Sequence, residues 1–238
     1  MKVFFRPRLC SLALIVINIA MFPNIVQSRS PVTLLGGGEV SISDLREALL
    51  LAPLLVAADG GANVALEAGV IPDAVIGDLD SLTETTRRAL PPDRMHLIPE
   101  QISTDFEKCL TRISAPYVLG VGFTGARVDH LLAVWNTMVR HPTRRCLILG
   151  PEDVAFAAPR ELRLDLSAGT RVSLFPMADL GGRSRGLVWP IDGLDLSPGG
   201  RIGTSNEATG PVDLSFDGDG MLVILPRDAL PAAIAALR

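Results

Sequence analysis

Residues 54–82 constrain the fold more than any other stretch. An apolar run at 54–58 has the length of a buried strand and stops at Asp59. Gly60 and Gly61 follow, where the backbone can turn tightly or come close to a ligand, and a short helix fits next. A second apolar run at 74–76 ends at Gly77 and delivers Asp78 and Asp80. In an extended segment residues i and i+2 point the same way, so these two carboxylates are expected to face one point. Three acids at two strand ends have the character of a hard-cation site facing phosphates. Mg²⁺ prefers carboxylate oxygen and keeps water and phosphate oxygens as its other ligands. Acids and glycines are also ordinary turn residues after strands. The convergence of two strand ends on one chemistry favours the metal reading of Asp59, Asp78 and Asp80.

The 238 residues are enough for one large or two modest domains. A net charge of −4 with no long basic run argues against a nucleic-acid-binding surface. Cys10, Cys109 and Cys146 stand far apart, which fits neither a disulfide framework nor a zinc pattern and suits a reducing compartment. Residues 1–28 differ from the rest. Lys2, Arg6 and Arg8 precede an apolar stretch at 9–22, and Val26-Gln27-Ser28 has the look of a cleavage site. One reading is a secretory signal; the other is an N-terminal extension ahead of a domain that begins near Ile25. The apolar part is short for a spanning helix, so no stable membrane association is expected.

Residues 32–35 read as a strand, followed by Gly36-Gly37-Gly38 and a helix at 43–51. Strand, glycine loop and helix make a phosphate-binding turn, with Gly37 at its centre, although neither G-x-x-x-x-G-K-S/T nor G-x-G-x-x-G is present. A helix at 83–89 ends at Pro91-Pro92, before a strand at 95–98. Thr104-x-x-Glu107 is a capping box with Asp105 in the first turn, and a helix N-terminus is itself an anion site, so cap and site are compatible. A strand at 116–121 runs into G-F-T-G-A-R-V-D-H, where a glycine turn sets Arg127 and Asp129 at the start of a helix. Arg127 there can fork onto phosphate oxygens. His130 reads as a packed or capping side chain, and the helix's apolar face as Leu131, Leu132, Trp135 and Met138. A sixth strand at 145–149 closes the series. This alternation indicates a parallel sheet covered by helices on both faces, with the chemistry just after strand C-termini.

The period changes after about Pro159. Short strands at 162–166, 171–175, 186–189, 212–216 and 222–225, separated by glycine-rich turns, predict a small all-β sandwich with a closing helix at 228–237. The expected division is therefore an α/β nucleotide-binding domain at 29–155 and a β-sandwich at 156–238.

Five motifs now stand in order: A-D-G-G-A-N (58–63), P-D-A-V-I-G-D-L-D-S (72–81), S-T-D-F-E-K (103–108), G-F-T-G-A-R-V-D-H (122–130) and G-T-S-N (203–206). Together they resemble the thiamine pyrophosphokinase family over roughly residues 32–226. The resemblance implies an α/β domain followed by a β-sandwich, a homodimer, and transfer of the β,γ-diphosphate of ATP to the hydroxyethyl oxygen of thiamine with release of AMP. It implies that Asp59, Asp78 and Asp80 hold Mg²⁺ and the triphosphate, beside Gly37, Gly60 and Gly61. It implies that Asp105, with Thr104, helps place the metal or the attacking hydroxyl, and that Arg127 and Asp129 lie near the transferred phosphates. Asp105 is the first candidate for a general base and Asp129 the second. Trp189, Ser205 and Asn206 resemble the thiamine-binding part, contributed across the dimer. An indole face suits a cationic thiazolium, while a place in the sandwich core is the alternative for Trp189. An ATP-dependent enzyme of this kind favours a cytoplasmic location, and the extension reading of residues 1–28 over export. Two departures stand out: Gln101-Ile102 occupies the place of a Lys-Asp or similar polar pair, and Ala126 that of a second glycine. The competing functions are a pyrophosphokinase acting on another acceptor, such as a hydroxymethylpterin, and a non-catalytic nucleotide- or thiamine-binding protein.

Overall fold

The computed structural model describes residues 23–125 and 127–238; the basic and apolar start of the chain, Cys10 and Ala126 lie outside the described residues. The first half alternates strands and helices. It runs β1 (Val26–Gln27), β2 (Val32–Leu35), α1 (Ile42–Leu51), β3 (Leu54–Ala58), α2 (Gly61–Glu67), β4 (Ala74–Gly77), α3 (Glu84–Ala89) and β5 (Met95–Leu97). It continues with α4 (Asp105–Arg112), β6 (Ile113–Ser114), β7 (Val118–Val121), α5 (Val128–Arg140) and β8 (Cys146–Leu149). The second half holds β9 (Asp153–Ala157), β10 (Glu161–Leu164), β11 (Arg171–Pro176), β12 (Gly182–Leu187), β13 (Gly203–Phe216), β14 (Met221–Pro226) and α6 (Leu230–Ala236).

The apolar runs form strands for the reason their composition suggests. Every residue of β2, β4, β7 and β8 is buried, as expected of strands covered on both sides. β2 pairs in parallel with β7 and β7 with β8, while β3, β4 and β5 form a second parallel set. β3 lies beside β2, joined by a bridge between Val32 and Pro53. Helix starts follow their caps. The Ser41, Thr83 and Thr104 side chains accept the N–H groups of Asp44, Thr86 and Glu107.

The expected domain boundary falls within residues 153–157, which form β9; it pairs antiparallel with β8 on one side and with β14 on the other. A division at 155/156 thus falls inside a strand. Gly150 donates to the Asp153 carbonyl at 2.8 Å, so β8 and β9 form a hairpin and the sheet continues into the second half. The order β10-β13-β11-β14-β9-β8-β7-β2 is unbroken, and one buried core includes Leu34, Leu119, Phe156, Leu174 and Val223. Arg227 reinforces the join, donating to the Gly150 carbonyl at 2.9 Å and pairing with Asp44 of α1 at 2.7 Å. The architecture is mixed α/β around this large sheet.

Further differences concern β12, β13 and α5. The strand expected at 186–189 is β12, ending at Leu187, so Trp189 lies beyond it. β13 begins nine residues earlier than the expected strand at 212–216; its first part pairs with β11 and its second with β10 and β12. α5 buries Val134, Thr137 and Met138, whereas Leu132 is 57 % exposed, so its packed face is rotated from the one expected. No helix among the described residues is long and apolar enough to cross a membrane.

Candidate metal and phosphate site

Asp59 follows β3 directly and adopts a φ of 41°, a left-handed conformation that costs free energy for a residue with a side chain. Its side chain is driven inward, leaving the residue 3 % exposed. Oδ2 accepts the Ser81 N–H at 3.3 Å. Oδ1 is buried and has no hydrogen-bond partner among the described residues. Asp59, Asp78 and Asp105 each bring one carboxylate oxygen within 4.8 Å of the others. A buried, unpartnered carboxylate oxygen beside two more carboxylates fits a hard divalent cation, which takes oxygen ligands.

The cluster depends on Gly77. A Cβ there would lie 2.7 Å from the Asp59 Cβ and 3.2 Å from Asp105 Oδ1. Gly77→Ala should therefore push the carboxylates apart. Overpacking of this kind costs about 1–3 kcal/mol, and a lowered Tm together with lost activity is expected. A variant with wild-type Tm and turnover would show that the close approach is unimportant.

Asp80 stands outside the cluster. Leu79 takes a φ of 63° and buries its side chain, which breaks the extended geometry on which i, i+2 alternation depends. Asp80 is exposed, its N–H donating to Asp78 Oδ1 at 3.4 Å and its Oδ1 accepting the Ser81 hydroxyl at 3.1 Å. Asp105, at the start of α4, fills the third position instead. Thr104 is engaged as the α4 cap, its hydroxyl accepting the Glu107 N–H at 3.3 Å.

Lys108, which no motif reading singles out, lies against the cluster. It is 2 % exposed, and its ammonium lies 2.9 Å from Asp105 Oδ1 and 3.4 Å from Asp78 Oδ2. The available signal was its position three residues after Asp105, on the same helix face. Burial by itself lowers the Lys108 pKa, but Asp105 and Asp78 more than offset this and leave it above the ordinary lysine value. Burial holds the Asp105 carboxyl above its usual value, opposed by Lys108 and helped by the negative Asp59 and Asp78. Gln101 donates to Asp78 Oδ2 at 2.7 Å, and this bond is the main reason the Asp78 pKa is lowered. The atypical pair at 101–102 is thus half engaged in the cluster: Gln101 touches it, while Ile102 is 99 % exposed. Glu100 fixes that turn by accepting the N–H groups of Ile102 and Ser103 at 2.8 and 3.0 Å, and the Ser103 hydroxyl.

The glycine loops meet at neighbouring strand ends. A Cβ on Gly61 would lie 2.1 Å from the Leu35 carbonyl oxygen, so the 59–61 turn can pack on the end of β2 only as glycine. Gly37 approaches Gly60 closely enough that a Cβ on Gly37 would lie 3.5 Å from the Gly60 carbonyl carbon. Arg127 and Asp129 lie on the surface at the start of α5. The guanidinium forks onto Asp129, Nε at 3.2 Å and Nη2 at 2.6 Å, and this pairing pulls the Asp129 pKa down to about 2. His130 is exposed rather than packed.

In the second half Trp189 is 60 % exposed, which removes its alternative as a core residue. Asn206 is buried and clamps the Trp189 backbone, Oδ1 accepting its N–H at 3.2 Å and Nδ2 donating to its carbonyl at 2.6 Å. Asn206 therefore positions the indole instead of presenting its amide outward. Ser205 is exposed at a φ of 60°, its N–H donating to the Ser173 hydroxyl at 3.0 Å. Among the described residues the non-glycine positions with positive φ are Asp59, Leu79 and Ser205, all within the candidate motifs, where strain of this kind gathers.

Two family models match this chain: "Thiamin pyrophosphokinase, catalytic domain" over residues 45–149 and "Thiamin pyrophosphokinase, vitamin B1 binding domain" over residues 160–220. Thiamine pyrophosphokinase 1 of Oryza sativa subsp. japonica is 28 % identical over 189 residues, covering 65 % of this chain and 72 % of the relative. Thiamine pyrophosphokinase 1 of Arabidopsis thaliana is 26 % identical over 189 residues, covering 65 % and 71 %. The fold is shared with the thiamin pyrophosphokinase from Candida albicans, at a TM-score of 0.70, 16 % identity, and coverage of 86 % of this chain and 93 % of that one. The yeast thiamin pyrophosphokinase gives a TM-score of 0.69 at 18 % identity, covering 89 % and 94 %. With both halves matched in order, the chain belongs to the thiamin pyrophosphokinase family.

Proposed function

We propose that this protein transfers the diphosphate of ATP to the hydroxyl of thiamine, giving thiamine diphosphate and AMP. The observation that carries the reading is the buried, unpartnered Asp59 Oδ1 in a three-carboxylate cluster at adjacent strand ends. Asp59, Asp78 and Asp105 are the residues that would hold Mg²⁺, which when bound neutralises phosphate charge and helps fix the triphosphate. Residues 29–155 bind the nucleotide, with Gly37, Gly60 and Gly61 allowing close backbone approach and Arg127 turning its fork from Asp129 to phosphate. Thr104 orders the start of α4 and so the direction of Asp105. Asp80 supports the Asp78 turn from outside the cluster.

The thiamine oxygen attacks the β-phosphorus, the bond from that phosphorus to the bridging oxygen of the α-phosphate breaks, and AMP leaves. The attacking hydroxyl must lose its proton. Asp105, in the cluster, is the first candidate acceptor, and Asp129, released as Arg127 turns to phosphate, is the second. The protein's main contribution is positioning and charge stabilisation.

The second half, residues 156–238, is read as a small β-sandwich that presents Trp189 and Ser205 to thiamine, with Asn206 behind the indole. The exposure of Trp189 supports a site shared between two copies of the chain, as in a two-fold dimer. The scattered cysteines and the ATP requirement support a cytoplasmic location. The match of residues 160–220 to a vitamin B1 binding domain does not favour the hydroxymethylpterin or non-catalytic alternatives.

Incubation with ATP, thiamine and Mg²⁺ should yield AMP and thiamine diphosphate in equal amounts; ADP and thiamine monophosphate instead would refute the reading. The shared site has its own test. Asp59→Asn and Trp189→Ala chains, each strongly impaired, should regain about one quarter of wild-type sites when mixed and allowed to exchange, because half the dimers carry one intact site. Absence of recovery in demonstrated mixed dimers would place both residues in one chain's site.

A further inference from the structure

We propose that Lys108 is a resident counter-ion of the carboxylate cluster, and that it makes loading of the divalent cation depend on the nucleotide. The inference rests on the metal reading of Asp59, Asp78 and Asp105 given above.

The ammonium occupies ground that a cation would need. It lies 2.9 Å from Asp105 Oδ1 and 3.4 Å from Asp78 Oδ2, so two of the three carboxylates already have a positive partner. Asp78 is the more fully engaged, since Oδ2 also accepts from Gln101 at 2.7 Å and Oδ1 from the Asp80 N–H at 3.4 Å. Asp59 Oδ1 is the carboxylate oxygen left buried and unpaired. A bare divalent ion entering here meets a fixed positive charge a few ångströms away.

Lys108 is poorly placed to withdraw. It is buried, its N–H donates to the Thr104 carbonyl at 2.8 Å, and its own carbonyl accepts from Arg112 at 3.0 Å. Moving a buried ammonium away from both acids would leave it unpaired, which is costly. The formal charges lead to the same conclusion. With Lys108 the three carboxylates carry a net −2 instead of −3, which weakens the draw on a bare divalent ion. The phosphates of a nucleotide restore negative charge and add oxygen ligands, so the cation gains most of its binding when it arrives with them. A purely structural ion pair, pinning α4 to the end of β4, has the opposite signature: its removal loosens the carboxylates and weakens metal binding.

The test measures free Mn²⁺ by electron paramagnetic resonance with the full chain, with and without α,β-methylene-ATP, in which the scissile bridge is blocked. The wild type should bind bare Mn²⁺ weakly and about tenfold or more tightly with the nucleotide analogue. Lys108→Met should bind bare Mn²⁺ about tenfold or more tightly than the wild type, while Lys108→Arg, which keeps the charge, should stay close to it. Equal or weaker bare Mn²⁺ binding by a folded Lys108→Met chain overturns the proposal. So does a wild type that binds Mn²⁺ equally well with and without the analogue, a result that needs no variant to fold and leaves the metal reading intact. If analogue binds but Mn²⁺ never does, or if Mn²⁺ binding survives Asp59→Asn, the metal reading itself fails and takes this inference with it.

Discussion

Asp59→Asn is expected to lower kcat by about a hundredfold or more while leaving Tm unchanged or raised. Asparagine is nearly isosteric and, with aspartate, is among the residues that best tolerate a left-handed backbone, so a φ of 41° should persist. Its carbonyl oxygen can keep the Ser81 N–H, and its amide would then face Asp78 and Asp105 as a donor. Removing one of three mutually repelling carboxylates relieves the ligand-free fold. The same change removes the buried oxygen that has no other partner. Catalysis and stability should therefore move in opposite directions, or catalysis alone should move. Steady-state kinetics and calorimetry on the same preparation check this; near-wild-type turnover would take Asp59 out of the metal site.

The second large effect is at Arg127. Without ligand its guanidinium forks onto Asp129 at the surface, with both residues about two-thirds exposed. If that local pair were its whole role, Arg127→Lys would be almost silent. If the fork transfers to phosphate, lysine keeps the charge and loses the two-pronged geometry. The loss should fall mainly on kcat, because the interaction strengthens as charge shifts in the transition state. A decrease of about tenfold or more in kcat with unchanged Tm is expected. Wild-type kcat in this variant would return Arg127 to an ordinary surface ion pair.

Much of the α/β half was legible because its strands are short, apolar and punctuated by glycine or acid: β3 is the run expected at 54–58. β9 has no counterpart among the expected strands because Val154, Ala155 and Phe156 sit just after a Gly-Pro turn, at the expected domain boundary. Trp189 was read into a strand that ends two residues earlier, which left both a ligand-facing and a core position open for it. In the cluster, two of the three carboxylates followed from strand ends. Asp80 did not, because side-chain alternation assumes an extended chain, and nothing about a leucine announces the left-handed turn at Leu79. Asp105 came from the resemblance as a site residue, and the fold gives it the position expected of Asp80. The i, i+3 spacing from Asp105 was the one signal for Lys108, and a lysine on a helix ordinarily lies in water; the packing of α4 against β4 makes it a buried cation.

Asp59, Asp78 and Asp105, two strand-end carboxylates and one helix-start carboxylate, are proposed to hold the cation for transfer. Crystals grown with Mn²⁺ and α,β-methylene-ATP, measured at the manganese absorption edge, test it directly. An anomalous peak bound by Asp59 Oδ1 and within coordination distance of Asp78 or Asp105, with phosphate oxygens completing the shell, is expected. A peak held by Asp80 and remote from Asp59, or bound nucleotide with no manganese in the cluster, would contradict it.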